Sequence, residues 1–136
     1  MDFMNPDVRM FFDPHPASLQ LYEALAGEMA ARFPETRVRV QKTQITFSNR
    51  RVYACVSFLR VKRKAELPAS WFTLTLGLPY ALESPRVAAK VEPYPGQWTT
   101  HIVVSDPTEL DAELLAWVEQ AYAFAESKAG RSVRKA

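Results

Sequence analysis

The fold is decided by residues 37–61, which read RVRVQKTQITFSNRRVYACVSFLRV. Valines alternate with arginines over residues 37–40, which predicts a β-strand that buries one of its two faces. The polar residues at 48–50 predict a hairpin turn. Both parities are apolar over residues 51–61, a pattern typical of a central strand that is covered on both faces. Together these features predict an antiparallel sheet that extends outward from this segment.

The apolar parity changes inside this segment. The valines of the first strand stand at even positions, whereas Ile45 and Phe47 stand at odd positions. A strand of period two cannot change parity unbroken, so we expect a bulge or break within residues 41–44. Without a break, Lys42 and Gln44 would point to the face that the valines bury, and buried polar groups need partners. The two residues are therefore candidates for a binding site, unless a bulge uses them to satisfy backbone groups.

Helices are predicted on both sides of the strands. Apolar residues recur at three- and four-residue steps over residues 17–32, and Pro34 ends that helix because the residue before a proline disfavours helical backbone. Near the C-terminus, Asp106 and Glu109 form an acidic capping box, which predicts a helix that starts directly after Asp106 and ends near Gly130. Further strands are predicted at residues 71–78, 86–92 and 98–104.

The predicted fold class is α+β. An N-terminal helix and a C-terminal helix pack on a mostly antiparallel sheet of about five strands, in the order α-β-β-β-β-β-α, which makes a two-layer sandwich. The 136 residues are expected to form a single domain, residues 1–136. Closely spaced prolines discourage a regular element in residues 1–17, which are expected to be an arm packed on the body. Residues 127–136 are expected to be a flexible basic tail.

The composition favours a packed, cytoplasmic domain. Hydrophobic residues make up 48% of the chain, and no apolar run approaches the roughly 20 residues of a membrane-spanning helix. The start, Met-Asp, lacks the basic and apolar regions of a signal sequence. Cys55 is the one cysteine and is expected to be a buried, reduced thiol. His15 and His101 lack a second histidine or a cysteine at ligand spacing, so we expect no metal and no cofactor.

Positive charge is concentrated in the fold-deciding segment and just beyond it. Residues 36–65 contain nine of the 17 basic residues and none of the 15 acidic ones. A basic sheet surface of this kind suits an acidic small molecule, an acidic protein partner or a nucleic acid, although Lys and Arg also keep edge strands from aggregating. In the nucleic-acid interpretation, Tyr53 could stack on a base and basic residues would contact phosphates. Those basic residues are Arg37, Arg39, Arg50, Arg60, Lys62, Arg63 and Lys64.

Several motifs are similar to those of a known family. Residues 42–47, KTQITF, and residues 51–54, RVYA, resemble the K-x-Q-I-x-F and R-x-F-A runs of the bacterial domain of unknown function 5655 family. Residues 92–101, EPYPGQWTTH, resemble its E-P-x-P-G-x-W/F-x-x-H turn. Residues 105–122 resemble its closing helix, which typically ends in Ala-Tyr.

The resemblance covers residues 19–125 and implies the fold. The chain has Tyr53 where the family usually has phenylalanine. It has Thr100 where many members carry the first histidine of a pair, which argues against a two-histidine metal site here. The family has no established biochemical activity, so the resemblance leaves the function open.

The favoured function is that of a small binding or interaction domain that recognises an acidic ligand or partner. No Gly-rich phosphate loop, nucleophile elbow or paired-carboxylate motif is present, so catalysis by His101 and Lys42 is the less favoured alternative. Nucleic-acid binding is the other alternative. The candidate ligand-binding residues are the polar pair at the break and the polar or aromatic residues expected beside it: Lys42, Gln44, Arg51, Tyr53, Trp98 and His101.

Overall fold

A computed structural model describes residues 3–62 and 67–127, which contain one six-stranded sheet and three α-helices. The helices are α1 (Pro6–Phe11), α2 (Leu19–Arg32) and α3 (Ala112–Glu126). The strands are β1 (Arg37–Val40), β2 (Gln44–Ser48), β3 (Val52–Ser57), β4 (Phe72–Leu78), β5 (Ala89–Tyr94) and β6 (Gln97–Val104). All neighbouring strands are antiparallel, in the order β1-β2-β3-β4-β6-β5. The predicted α+β class, with terminal helices and an antiparallel sheet, is confirmed, with six strands in place of about five.

The additional strand arises at the parity change. The chain reverses direction there, because the amide of Gln41 donates to the carbonyl oxygen of Gln44 (2.8 Å) and only Lys42 and Thr43 form the loop. The reversal explains the change of parity without a bulge at residues 41–44. Lys42 is therefore exposed at a hairpin tip and does not point to the face that the valines bury.

A bulge does occur one turn later, in β3. Phe47 lies opposite Ala54 and Ser48 lies opposite Val52, which leaves Tyr53 as an extra residue. Two consecutive side chains, those of Tyr53 and Ala54, are consequently buried in the core. The bulge explains why Tyr53, at an odd position, is buried on the same side as Ala54 and Val56. The strand is central, but the prediction that both of its faces are covered is wrong, because its second face lines a cleft.

The helices pack on one face of the sheet. Tyr22 and Phe47 bring their rings to 6.5 Å, which joins α2 to β2, and α3 contacts β3 and β4. The sheet meets the helices with a row of side chains that lie directly opposite one another on four strands. Each of these side chains is at most 1% exposed: Ile45, Val56, Leu74 and Ile102. The core therefore lies between this face and the helices, as a two-layer arrangement requires.

The N-terminal arm contains a helix, contrary to the prediction from its prolines. The side-chain oxygen of Asn5 accepts the amide of Val8 (3.0 Å), and Pro6 occupies the first turn of α1. Proline is disfavoured inside a helix but suits its first turn, where its missing amide has no partner to lose. The arm is packed on the body as expected, with the rings of Phe3 and Phe47 5.5 Å apart.

The C-terminal helix begins later than predicted. Asp106 caps only a short 3₁₀ helix, Pro107–Glu109. The helix α3 is capped instead by Asp111, whose carboxylate accepts the amide of Leu114 (3.0 Å). Gly130 and the predicted tail beyond residue 127 lie outside the described residues. With 15 residues α3 is the longest helix in the described ranges, where no helix is long and apolar enough to cross a membrane.

Candidate ligand-binding cleft

The sheet face opposite the core carries a row of mostly polar side chains. The strand register places six residues directly opposite one another, one from each strand: Arg39, Thr46, Cys55, Thr75, His101 and Ala89. Side chains alternate between the two faces of a strand, so this row points away from the core. Gln44 and Ser57, which pair with each other, lie on the same face two residues along their strands.

A cavity of about 670 Å³, which we call the sheet-face cleft, opens on this surface. Its volume is in the range of small-molecule sites, roughly 300–1,000 Å³. Lys42 and Thr43 reach it from the hairpin tip, and its floor comes from four strands: Gln44, Cys55, Ser57, Thr75, Thr99 and His101. The structure thus brings together three of the predicted ligand-binding residues, Lys42, Gln44 and His101.

The wall of the cleft is largely aromatic and is formed by the N-terminal arm together with the loop after β3. The ring of His15 stacks on Phe58 with 3.7 Å between centroids, and the ring of Phe11 lies 5.9 Å from Phe58 on a nearly parallel plane. Phe58 begins the loop after β3, and the next residue, Leu59, accepts a hydrogen bond from the Thr73 hydroxyl (2.7 Å). The loop is therefore hydrogen-bonded to β4, and the arm packs on the loop through these ring contacts.

The polar groups of the cleft contact one another across the strands. Thr75 Oγ1 and His101 Nδ1 are hydrogen-bonded at 2.8 Å. Gln44 donates through Nε2 to the side-chain oxygen of Gln41 (3.2 Å), and the thiol of Cys55 lies 3.9 Å from Gln44 Oε1. Burial raises the pKa of the Cys55 thiol and lowers the pKa of the His101 imidazole. Both groups are therefore favoured in their neutral forms.

The other three predicted ligand-binding residues line a second cavity of about 310 Å³, the Arg51 pocket. It shares Cys55, Thr75 and Thr99 with the sheet-face cleft, so the two adjoin. Arg51 donates to the backbone oxygen of Ser127 (2.7 Å).

Tyr53 is 1% exposed, and its hydroxyl is hydrogen-bonded to Thr36 (2.8 Å). Its ring packs edge-on against Tyr122 in the core, so it does not present a face for stacking on a base. Trp98 is half-buried and lies opposite Leu78, on the helix-bearing face of the sheet. Arg51 and Tyr53 therefore make contacts within the fold, to Ser127 and to Thr36 and Tyr122 respectively.

The described basic residues of the nucleic-acid alternative are spread over β1 and both ends of β3. Five of them are exposed, and the first of these also donates to the backbone oxygen of Asn49: Arg37, Arg39, Arg50, Arg60 and Lys62. Arg50 precedes β3 and Arg60 follows it, which places them at opposite ends of that strand. Arg63 and Lys64 lie outside the described residues.

The described lining of the sheet-face cleft contains a basic side chain and no acidic one. Among the residues that the structure describes, none of those lining it is Asp or Glu, although the chain has 15 acidic residues. Its titratable lining residues are Lys42, His15, Cys55 and His101. An anion entering the cleft would therefore meet positive charge and hydrogen-bond donors without a competing carboxylate from the described residues.

Sequence reasoning missed several residues of the cleft. Thr75 and Thr99 could have been found, because each stands on the polar parity of a strand whose other parity is apolar. Phe11 and His15 carried no such signal, since their ring contacts with Phe58 span more than 40 residues of sequence, and Pro14 lines the cleft between them in the chain.

Positions 100 and 101 face opposite sides of the sheet. Thr100 lies opposite Leu76 and is fully buried, whereas His101 lies opposite Thr75 and lines the cleft. Consecutive side chains on a regular strand diverge in this way. Two histidines at these positions would therefore not converge on one metal ion from this strand.

Comparison with known proteins identifies a family for this chain. A family model described as a domain of unknown function (DUF5655) matches residues 9–125, which include both strands of the β1–β2 hairpin, the cleft floor and most of α3. Searches of curated proteins and of solved structures give no match. The match covers most of the chain, so the chain belongs to the DUF5655 family.

Proposed function

We propose that the protein binds a small organic anion with an apolar or aromatic part in the sheet-face cleft, and that it acts by binding rather than by catalysis. The observation that carries this proposal is the composition of one cavity. Lys42 and His101 line it together with the apolar wall around Phe58, and no described carboxylate does.

The apolar part of the ligand would rest against the arm and the loop. Phe11, Pro14, Phe58 and Leu59 contribute carbon surface to the cleft, and burying apolar area is worth about 25 cal/mol per Å². The floor of the cleft is polar, in contrast to this apolar wall, because it consists of hydroxyl, thiol, amide and imidazole groups. A ligand with one apolar and one polar side matches both surfaces.

The anionic part would lie between Lys42 and His101. Lys42 lies at the tip of the β1–β2 hairpin, and β2 is three strand spacings from β6, which carries His101. That separation is on the order of 14 Å between backbones, and both residues line the cleft between them. A unit charge attracts a partner at 4 Å by about 4 kcal/mol near a protein surface. The Gln44 amide and the Thr75 hydroxyl lie on the floor between the two, where they can hydrogen-bond the same group.

A reducing compartment suits this site, so we place the binding in the cytoplasm. Cys55 is the one cysteine of the chain, and its half-buried thiol lines both cavities. Thiols persist in the reduced form in the cytosol.

The first test uses anilinonaphthalene sulfonate, an aromatic anion whose fluorescence rises in an apolar site. We expect it to bind the wild-type protein, and we expect Lys42→Glu to weaken its affinity about tenfold, which corresponds to about 1.4 kcal/mol. Lys62→Glu is the matched control, because Lys62 is an exposed lysine that lines neither cavity. The control variant should bind like the wild type.

Alkylation of Cys55 reports on the same site independently. The probe should slow the reaction of N-ethylmaleimide with this single thiol, and it should do so less in Lys42→Glu. Equal weakening by both lysine substitutions, or unprotected Cys55 at saturating probe, would place the probe elsewhere and refute the proposal. Displacement of the probe by single-stranded DNA at low salt would favour the nucleic-acid alternative.

A further inference from the structure

We propose that the cleft takes up a proton together with its anion, with His101 becoming the imidazolium that donates to the ligand. This inference rests on the proposed function and adds its regulation: the ligand binds more tightly as the pH falls. It assigns to His101 a role that is distinct from that of Lys42 in the same cleft.

The hydrogen bonding of His101 leaves one ring nitrogen for a ligand. Nδ1 is bonded to Thr75 Oγ1 at 2.8 Å, and no further hydrogen bond to this ring is found among residues 3–62 and 67–127. A threonine hydroxyl can donate to a neutral imidazole or accept from a protonated one. Protonation at Nδ1 therefore keeps the bond to Thr75, while the proton on Nε2 can be donated to an anion in the cleft.

The described residues that line the cleft with His101 carry no negative charge. The other titratable residues that line the cleft are Lys42 at the hairpin tip, Cys55 on β3 and His15 in the arm. The directly opposing residues on β4 and β5 are Thr75 and Ala89, which do not ionise. Burial lowers the pKa of His101 and so favours the neutral ring in the free protein. An anion would provide the missing counter-charge.

The sign of the effect follows from linkage. An anion favours the protonated ring, so the pKa of His101 is higher in the complex than in the free protein. Between these two values, binding includes proton uptake, and affinity falls by up to about tenfold per unit rise in pH. Below the pKa of the free protein the ring is already charged and affinity is at its maximum.

The test is calorimetric titration with anilinonaphthalene sulfonate between about pH 5 and 8, where an unperturbed histidine titrates. The sulfonate stays ionised over this range, so any pH dependence belongs to the protein. At each pH, two buffers of different ionisation enthalpy give the number of protons taken up. Wild type should bind more tightly at lower pH with proton uptake, and His101→Gln should bind without either effect.

His15→Gln is the control, because His15 is the other histidine of the cleft and of the chain. It should keep the proton uptake. Binding that is independent of pH in the wild type would refute the proton linkage and leave the binding proposal standing. Proton uptake that survives in His101→Gln and disappears in His15→Gln would overturn the assignment to His101. Absence of binding at every pH would refute the proposed function itself.

Discussion

Leu74→Ala is expected to lower the free energy of unfolding by about 2–5 kcal/mol, the range for a buried leucine in a core. Leu74 is fully buried at the centre of β4, opposite Val56 on one side and Ile102 on the other. Truncation there removes apolar surface and leaves a cavity that the flanking strands cannot close, because β4 is paired on both edges.

Leu59→Ala is the matched control for this change. Leu59 is 49% exposed in the loop after β3, so the same truncation removes less buried surface and can relax. Urea unfolding followed by circular dichroism measures both variants. Similar losses of stability for the two leucines would contradict the assignment of the core to the helix-bearing face.

Phe58→Ala is expected to weaken the affinity for anilinonaphthalene sulfonate by at least tenfold and to lower stability by about 1–3 kcal/mol. Phe58 is the residue on which the N-terminal arm is assembled. Its ring contacts those of His15 (3.7 Å), Trp71 (5.4 Å), Phe12 (5.7 Å) and Phe11 (5.9 Å). Without it, Phe11 and His15 lose their ring contacts to the loop and the cleft loses the centre of its apolar wall, whereas the contact of Phe3 with Phe47 remains.

Hydrogen exchange separates this local effect from general destabilisation. The amide of His15, which donates to the Phe12 carbonyl oxygen, should exchange faster in Phe58→Ala, while amides of β4 and β6 should change less. Phe58→Leu should retain part of the affinity, because it keeps apolar surface in the wall. An unchanged affinity in Phe58→Ala would mean that the probe does not use this wall.

Several helices and strands could be predicted from the sequence because their patterns depend on neighbouring residues only. Alternation located β1 and β4, and helical periodicity located α2 and α3. The misjudged features arise where two local signals compete. Pro6 suits a first turn as well as it breaks a helix, and Asp106 and Asp111 are both acceptable caps within six residues.

Two features of the sheet depended on contacts that single-strand patterns do not encode. The bulge at Tyr53 buries two neighbouring side chains, and it therefore gives a sequence pattern like that of a strand covered on both faces. The placement of β6 between β4 and β5 is likewise a matter of pairing between distant segments. The same reasoning applies to the cleft: Lys42, Gln44 and His101 were named from local pattern and resemblance, whereas the arm that walls it docks through long-range ring contacts.

Binding in the sheet-face cleft can be mapped by amide chemical shifts, measured by nuclear magnetic resonance during titration with anilinonaphthalene sulfonate. We expect progressive shifts for residues of the cleft floor, including Gln44, Ser57, Thr75 and His101, with the amides of Leu25 in α2 and Val118 in α3 little changed. Shifts confined to the helices, or none at saturating probe, would contradict the assignment of this face as the binding site.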